Sequence, residues 1–208
     1  MTDSDWDTLA AAWAPAREAG VVGPVDIDDV VAHAAGYVPA AWRVQASFRG
    51  VDLGTGAGIP GIPLALLHPQ SQWLLIDASA RRVDLARLAV EALDLGARVE
   101  LRHVRAEELS HEPTWRARVD LVVARRFGDL AEALECGGPL VRAGGRLVVS
   151  TTDEAVARLE DRDLGRIGLA SIETWETTAG RYVALTGTGT ANDRFPRRPP
   201  ARRHSPIC

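Results

Sequence analysis

The stretch Val51-Asp52-Leu53-Gly54-Thr55-Gly56-Ala57-Gly58-Ile59-Pro60-Gly61 holds the residue types and spacing most suited to chemistry in this chain. An apolar, β-prone run meets three glycines at alternate positions, and a helical pattern follows. Glycine is needed where the backbone must take positive φ, or where a ligand comes too close for a Cβ. Strand, glycine turn and helix N-terminus together make a nucleotide-binding corner. Gly56 to Gly61 also satisfies Gly-x-Gly-x-x-Gly, the dinucleotide pattern, although a plain tight loop satisfies it too. Asp52 separates the readings. Pyrophosphate at such a turn is anionic, and a carboxylate would repel it. A ligand with a cationic amino acid group and no phosphate would be attracted.

S-adenosylmethionine is such a ligand, and the acidic-x-Gly-x-Gly-x-Gly pattern resembles the first motif of Rossmann-type methyltransferases. Read on through Ile62-Pro63-Leu64-Ala65, the stretch resembles the glucose-inhibited division protein B (RsmG) family. The Gly-hydrophobic-Pro-Gly-Ile-Pro-Leu continuation is more specific than the glycines. The resemblance implies a Rossmann-like class I α/β methyltransferase with a seven-stranded, mostly parallel sheet and a short helical N-terminal cover. It further implies S-adenosyl-L-methionine as cofactor and N7 of a guanine in 16S ribosomal RNA as methyl acceptor, on free RNA or the 30S subunit. Asp52, Gly54, Gly56, Gly58 and Ile59 are the expected cofactor contacts in this stretch.

Other residues join them along the chain. Asp77 stands roughly 20 positions past the glycine turn, at the end of an apolar run, where a carboxylate can accept both ribose hydroxyls. Arg81 and Arg82 follow, where family members have a Lys-Arg pair. Arg105-Ala106-Glu107-Glu108 is similar to family text after the third strand, which makes Ala106 and Glu107 the adenine candidates. An acidic pair opening a helix is also stabilised by the macrodipole alone. Arg125 matches the family's Ala-Arg-Ala after the fourth strand and is carried over as a contact to cofactor or substrate. Arg126 replaces the last alanine of that motif, adding charge beside the pocket. Near the C-terminus, Phe195-Pro196-Arg197-Arg198-Pro199 resembles the family's Tyr-Pro-Arg-Arg ending. Basic residues interleaved with prolines suit an extended segment on an acidic partner, so Arg126, Arg197, Arg198, Arg202 and Arg203 are the expected RNA contacts. No acid–base pair is nominated, because guanine N7 already offers an in-plane lone pair.

The elements that must position these residues follow from periodicity. Residues 5–18 read as one amphipathic helix with Trp6, Leu9 and Trp13 on its apolar face, and residues 26–35 as a second. Strands are expected at 51–53, 72–76, 99–103, 119–124 and 146–150, with helices at 60–67, 82–95, 128–140 and 154–164 between or after them. Gly96 is the expected cap of the 82–95 helix, and Ala143-Gly144-Gly145 a tight turn. Residues 170–176 and 182–185 are the closing antiparallel strands. Three segments result: a helical cover over 1–47, the methyltransferase domain over 48–190 and a basic tail over 191–208. The resemblance is patchy in the first segment. Members carry Asn-Leu-Thr and His-x-x-Asp-Ser there; His33 falls at about the right distance, but Ala34-Ala35-Gly36-Tyr37 follow. His33 accordingly reads as a helix-end or surface histidine. Thr151-Thr152-Asp153-Glu154 likewise stands where the family has lysine.

Composition bounds the rest. The 208 residues suit one ordinary domain with 46% apolar content. A net charge of −4 gives no global basic signal, and every basic side chain other than histidine is arginine. Cys136 and Cys208 form no disulfide framework and no metal motif. The start lacks an apolar leader and no run is long enough to span a bilayer, so the expectation is a cytoplasmic, metal-free monomer. Three rival readings stay open: a divergent relative with another RNA or small-molecule substrate, a nicotinamide-dependent oxidoreductase, and a non-enzymatic RNA-binding protein. Asp52 and the lack of a Tyr-x-x-x-Lys pair speak against the oxidoreductase.

Overall fold

The computed structural model describes residues 3–24, 26–39, 42, 47–157, 159 and 164–199. Five strands run parallel through its centre: β1 (Arg49–Leu53), β2 (Gln72–Asp77), β3 (Val99–His103), β4 (Val119–Ala124) and β5 (Val141–Ser150). They are followed by β6 (Leu169–Thr177) and β7 (Gly180–Gly187), and β7 lies antiparallel between β5 and β6. The order across the seven-stranded sheet is β3-β2-β1-β4-β5-β7-β6. The chain builds outward from β1 to β3 and then returns to the other side of β1. β1 and β4 therefore flank a topological switch point, and open α/β sheets bind ligands outside the carboxyl ends of such strands. Leu53 and Ala124, the last residues of those strands, are in register.

Alternation along the buried strands feeds two apolar layers. Val51, Leu53, Leu74, Ile76, Val122 and Ala124 enter one layer; Trp73, Leu75, Leu121 and Val123 enter the other. A strand buried on both faces reads as a continuous apolar run, as β4 does. Asp52 is the polar exception, and it points toward the layer that contains α4 (Gly61–Leu67).

The N-terminal cover packs on that same layer. The expected single helix is instead two, α1 (Asp3–Ala12) and α2 (Ala14–Glu18). Pro15 lacks an amide and tolerates only a first helical turn, so the helix restarts there. The break leaves Trp13 fully buried with its Nε1 donating to Ala57 O at 2.8 Å, a direct tie to the glycine loop. Asp26 caps α3 (Ile27–Ala35) by accepting from the Asp28 amide. Just past α3, buried Tyr37 donates to Ala124 O at 3.0 Å. Two aromatic side chains thus hold two backbone carbonyls at the rim of the switch point.

Further boundaries differ from expectation for local reasons. After β2, α5 spans Ala80–Ala92 and ends without Gly96. Asp94 takes the left-handed position (φ 51°), while the amides of Asp94 and Leu95 donate to Glu91 O and Val90 O. Aspartate tolerates that conformation, and the pattern is a Schellman cap. Short helix α6 (Ala106–Leu109) follows β3. After β4, α7 covers Leu130–Gly137 and tightens into a 3-10 turn at Gly138–Leu140. Gly144 and Gly145 form a bulge inside β5, because the β4–β5 register slips there and a Cβ on Gly145 would press on the Val119 and Asp120 carbonyls. Helix α8 is described over Asp153–Ala157 and a 3-10 turn over Leu164–Ile167, while residues 158 and 160–163 of the expected 154–164 helix lie outside the described residues.

The described part of the C-terminal segment, to residue 199, packs on the domain. Phe195 is buried, and Arg116 donates to the carbonyls of Phe195, Ala191 and Asn192. Arg197 donates from its amide, Nε and Nη2 to the buried carboxylate of Glu135 on α7, at 2.7–2.9 Å. Arg197 is an internal ion-pair partner rather than an open phosphate contact. Arg202 and Arg203 lie outside the described residues. Among the described residues no helix is long and apolar enough to cross a membrane.

Removing one partner of a buried ion pair strands the other charge, at about 3–5 kcal/mol. Arg197→Ala should therefore lower the urea midpoint strongly, and adding Glu135→Leu should recover most of the loss. Equal stability of the single and double variants would contradict the assignment of Arg197 as a structural strap.

Candidate functional site

Asp52 ends up fully buried at the carboxyl end of β1 because its neighbours Val51 and Leu53 claim the opposite face. Its Oδ2 accepts from the Thr55 hydroxyl at 2.6 Å and the Gly61 amide at 2.9 Å. Its Oδ1 has no hydrogen-bond partner. Burial pushes its pKa up to about 7, against the opposing pull of those two donors and of Arg125. A half-satisfied buried carboxylate is costly on its own and suits a cationic or donor-bearing ligand.

The loop above Asp52 is shaped by glycine. Gly54 and Gly56 both take positive φ (68° and 60°). A Cβ on Gly54 would press into Phe127, whereas one on Gly56 would meet nothing within 4 Å. Gly56 therefore borders open space, and Gly58 lies against Ile62. On the side of β1 away from β4, Asp77 ends β2 almost fully buried. Its carboxylate accepts from the amides of Gly56 (3.0 Å) and Ser79 (2.9 Å), and Arg82 pairs with it at 3.0 Å. A cavity of about 100 Å³ opens here, lined by Gly54, Asp77, Ala106, Glu107 and Phe127 among others. That is below the roughly 300 Å³ of an ordinary ligand site. Phe127 against Gly54 and the Gly56–Asp77 bond narrow it. A ligand with vicinal hydroxyls would enter by taking over the Asp77 contact.

A second cavity, about 410 Å³, lies beyond Ile59 and is lined by Arg125, Arg126, His33, Asp29 and Ser150 among others. Arg125 leaves the end of β4 half-buried, and burial and the neighbouring Arg126 pull its pKa down. Arg126 is exposed and holds a left-handed backbone (φ 51°). Neither guanidinium makes a hydrogen bond or ion pair with any described residue.

The expected residues thus divide. Gly54, Asp77, Ala106 and Glu107 line the smaller cavity; Ile59, Arg125 and Arg126 line the larger. Gly56 and Gly58 belong to the loop that joins them, with Asp52 beneath. Glu107 also accepts from Arg105 Nε at 2.7 Å. Arg198 is exposed and stands apart from both cavities. His33, expected as a helix-end or surface histidine, is in the last turn of α3; it is half-buried there and lines the larger cavity, packed edge-on against Tyr37 and tilted against Tyr182. Burial first, then Arg125 and Arg126, lower its pKa to about 4, so it is neutral near pH 7. Phe127 was not visible in the motif; only its place between Arg126 and Gly128 marked it. Among the described residues no group of three or more His, Cys, Asp or Glu side chains is placed to hold a metal.

The raised pKa of Asp52 sets a pH dependence with a definite sign. Stability linked to its protonated form is complete below the unfolded value near 4 and is lost as pH rises through about 7. Asp52→Asn should therefore gain stability relative to wild type between about pH 4 and 7, by roughly 1.4 kcal/mol per pH unit, and the gain should level off above pH 7. Urea midpoints at several pH values test this, and parallel pH curves for the two proteins would refute it.

Comparison with known proteins bears on this arrangement. A family model described as rRNA small subunit methyltransferase G (GidB) matches residues 18–164. The ribosomal RNA small subunit methyltransferase G of Mycolicibacterium gilvum is 32% identical over 193 residues, covering 86% of this chain and 82% of that protein. The protein of the same name from Desulfitobacterium hafniense is 36% identical over 107 residues, 51% of this chain and 44% of that one. Among solved structures, a methyltransferase from Geobacter sulfurreducens superposes with a TM-score of 0.62 at 17% identity, covering 86% and 90% of the two chains, which shows a shared class I methyltransferase fold. With its match spanning α3, the glycine loop, Asp77 and Arg125, the chain belongs to the rRNA small subunit methyltransferase G family.

Proposed function

We propose that this protein transfers a methyl group from S-adenosylmethionine to N7 of a guanine in 16S ribosomal RNA. The observation that carries the reading is the family match over residues 18–164, which includes the buried Asp52 with its unpartnered Oδ1 beneath an open glycine loop. The residues present fit the cofactor. Asp52 would take the cationic methionine end, Gly56 leaves room for the ligand, Asp77 would accept from the ribose hydroxyls, and Ala106 and Glu107 would border adenine. When bound, the sulfonium supplies a methyl group already activated toward displacement.

The protein's own task is alignment and exclusion of water. Guanine N7 attacks with a lone pair lying in the plane of the ring, so no side chain has to remove a proton. Arg125 and Arg126, with no hydrogen bond or ion pair to any described residue, would meet RNA beside the cofactor loop, and guanidinium is well suited to phosphate and carbonyl oxygens. Arg198 adds an exposed cation farther along the chain. The segment that holds Arg197 serves instead to fix α7, whose N-terminal approach carries Phe127.

The test is methyl transfer from radiolabelled S-adenosylmethionine to 30S subunits from a strain lacking the gene. Wild type should label N7-methylguanine, and Arg125→Ala should reduce that label about 10- to 100-fold, the worth of a good contact to the base or backbone. Absence of label alongside measurable cofactor binding would overturn the ribosomal substrate and favour the divergent-relative reading. Gly56→Val should abolish cofactor binding in calorimetry while the chain stays folded, because it adds bulk to the open corner at φ 60°. Unchanged affinity would remove this loop from the cofactor site.

A further inference from the structure

The larger cavity carries charges of both signs that do not neutralise one another. Asp29, in the first turn of α3, lines it together with Arg125 and Arg126 from the exit of β4. Opposite charges sharing one cavity ordinarily pair. Here the Asp29 carboxylate makes no hydrogen bond or ion pair with any described residue, and neither guanidinium does. His33, neutral near pH 7, and Ser150 line the same cavity. The cavity thus has an acceptor-only group on α3 and donor-only groups on the β4 side.

Guanine has the complementary division. Its N7 and O6 are acceptors, while N1–H and the 2-amino group are donors on the opposite edge. Adenine offers the reverse at its six-position and an acceptor at N1. A base presenting N7 toward the cofactor loop would bring O6 toward Arg125 and its donor edge toward α3. We propose that Asp29 is the guanine-selecting residue of this enzyme, its carboxylate accepting from N1–H and the 2-amino group of the target base. This rests on the reading that a guanine in RNA is the substrate. A carboxylate in the first turn of a helix also interacts favourably with the macrodipole, but that role would affect stability and leave base selectivity untouched.

Base substitution separates the two roles. The nucleotide labelled by wild type is mapped, and 16S RNA carrying guanosine or inosine at that one position is assembled by ligation and reconstituted into 30S particles. Inosine lacks only the 2-amino group. Wild type should prefer guanosine about tenfold in kcat/KM, and Asp29→Ala and Asp29→Asn should lose about 10- to 100-fold on guanosine, the worth of a bidentate base contact. In both variants the guanosine-to-inosine ratio should collapse to about one. Variants that keep wild-type activity, or that lose activity with the tenfold preference intact, would overturn the proposal. Wild type that labels neither particle would overturn the substrate reading, and the role of Asp29 with it.

Discussion

A carboxylate shut away from water has to be held by dipoles, and Asp52 is held by very few. Thr55 and Gly61 satisfy one oxygen, the other is left open, and burial raises its pKa to about 7. The arrangement persists because the strand on which Asp52 sits is locked between two others and has no freedom to turn the side chain outward. Everything nearby is arranged around that buried acid. The glycine loop wraps over it, α4 begins at the amide it binds, and Arg125 and Asp77 bias its charge from either side. An unsatisfied group in a well-packed interior calls for a partner, which on the proposed reading the cationic end of the cofactor supplies.

The surrounding segments serve the same centre from a distance. Trp13 and Tyr37, both from the N-terminal cover, bond to Ala57 O and Ala124 O. Those carbonyls belong to the loop and the strand end that frame the two cavities. From the other side of the sheet, the C-terminal strap ties Phe195 and Arg197 to α7. Cover and tail, which composition sets apart from the central domain, are therefore part of how the site keeps its shape. A net charge of −4 is compatible with two arginines, unpaired among the described residues, concentrated at one cavity. Local placement of charge decides where an anion docks more than the total does.

Much of this was legible in the amino-acid order. Strand, glycine turn and helix around Asp52, the parallel rhythm through β5 and the closing β6–β7 pair all follow from patterns that span a few residues. Such patterns are read directly, because pleat, helix period and positive φ are local properties of the chain. Element ends were less legible. Asp94 took the cap expected of Gly96, and Pro15 divided a helix whose apolar spacing was otherwise regular. Those outcomes depend on which of two acceptable local choices packs better.

The sequence by itself determined the fold class, the cofactor-type corner and the arginine pair after β4. Only the tertiary structure decided the rest. It brought Asp29 and His33 of α3 to the same cavity as Arg125, turned Arg197 inward to Glu135, and placed Phe127 over Gly54. Each of these joins residues more than sixty positions apart, and Phe127 reaches Gly54 from across the switch point. Contacts of that range leave no periodic trace in the chain, since they arise when separately formed elements dock on one sheet and exclude water between them.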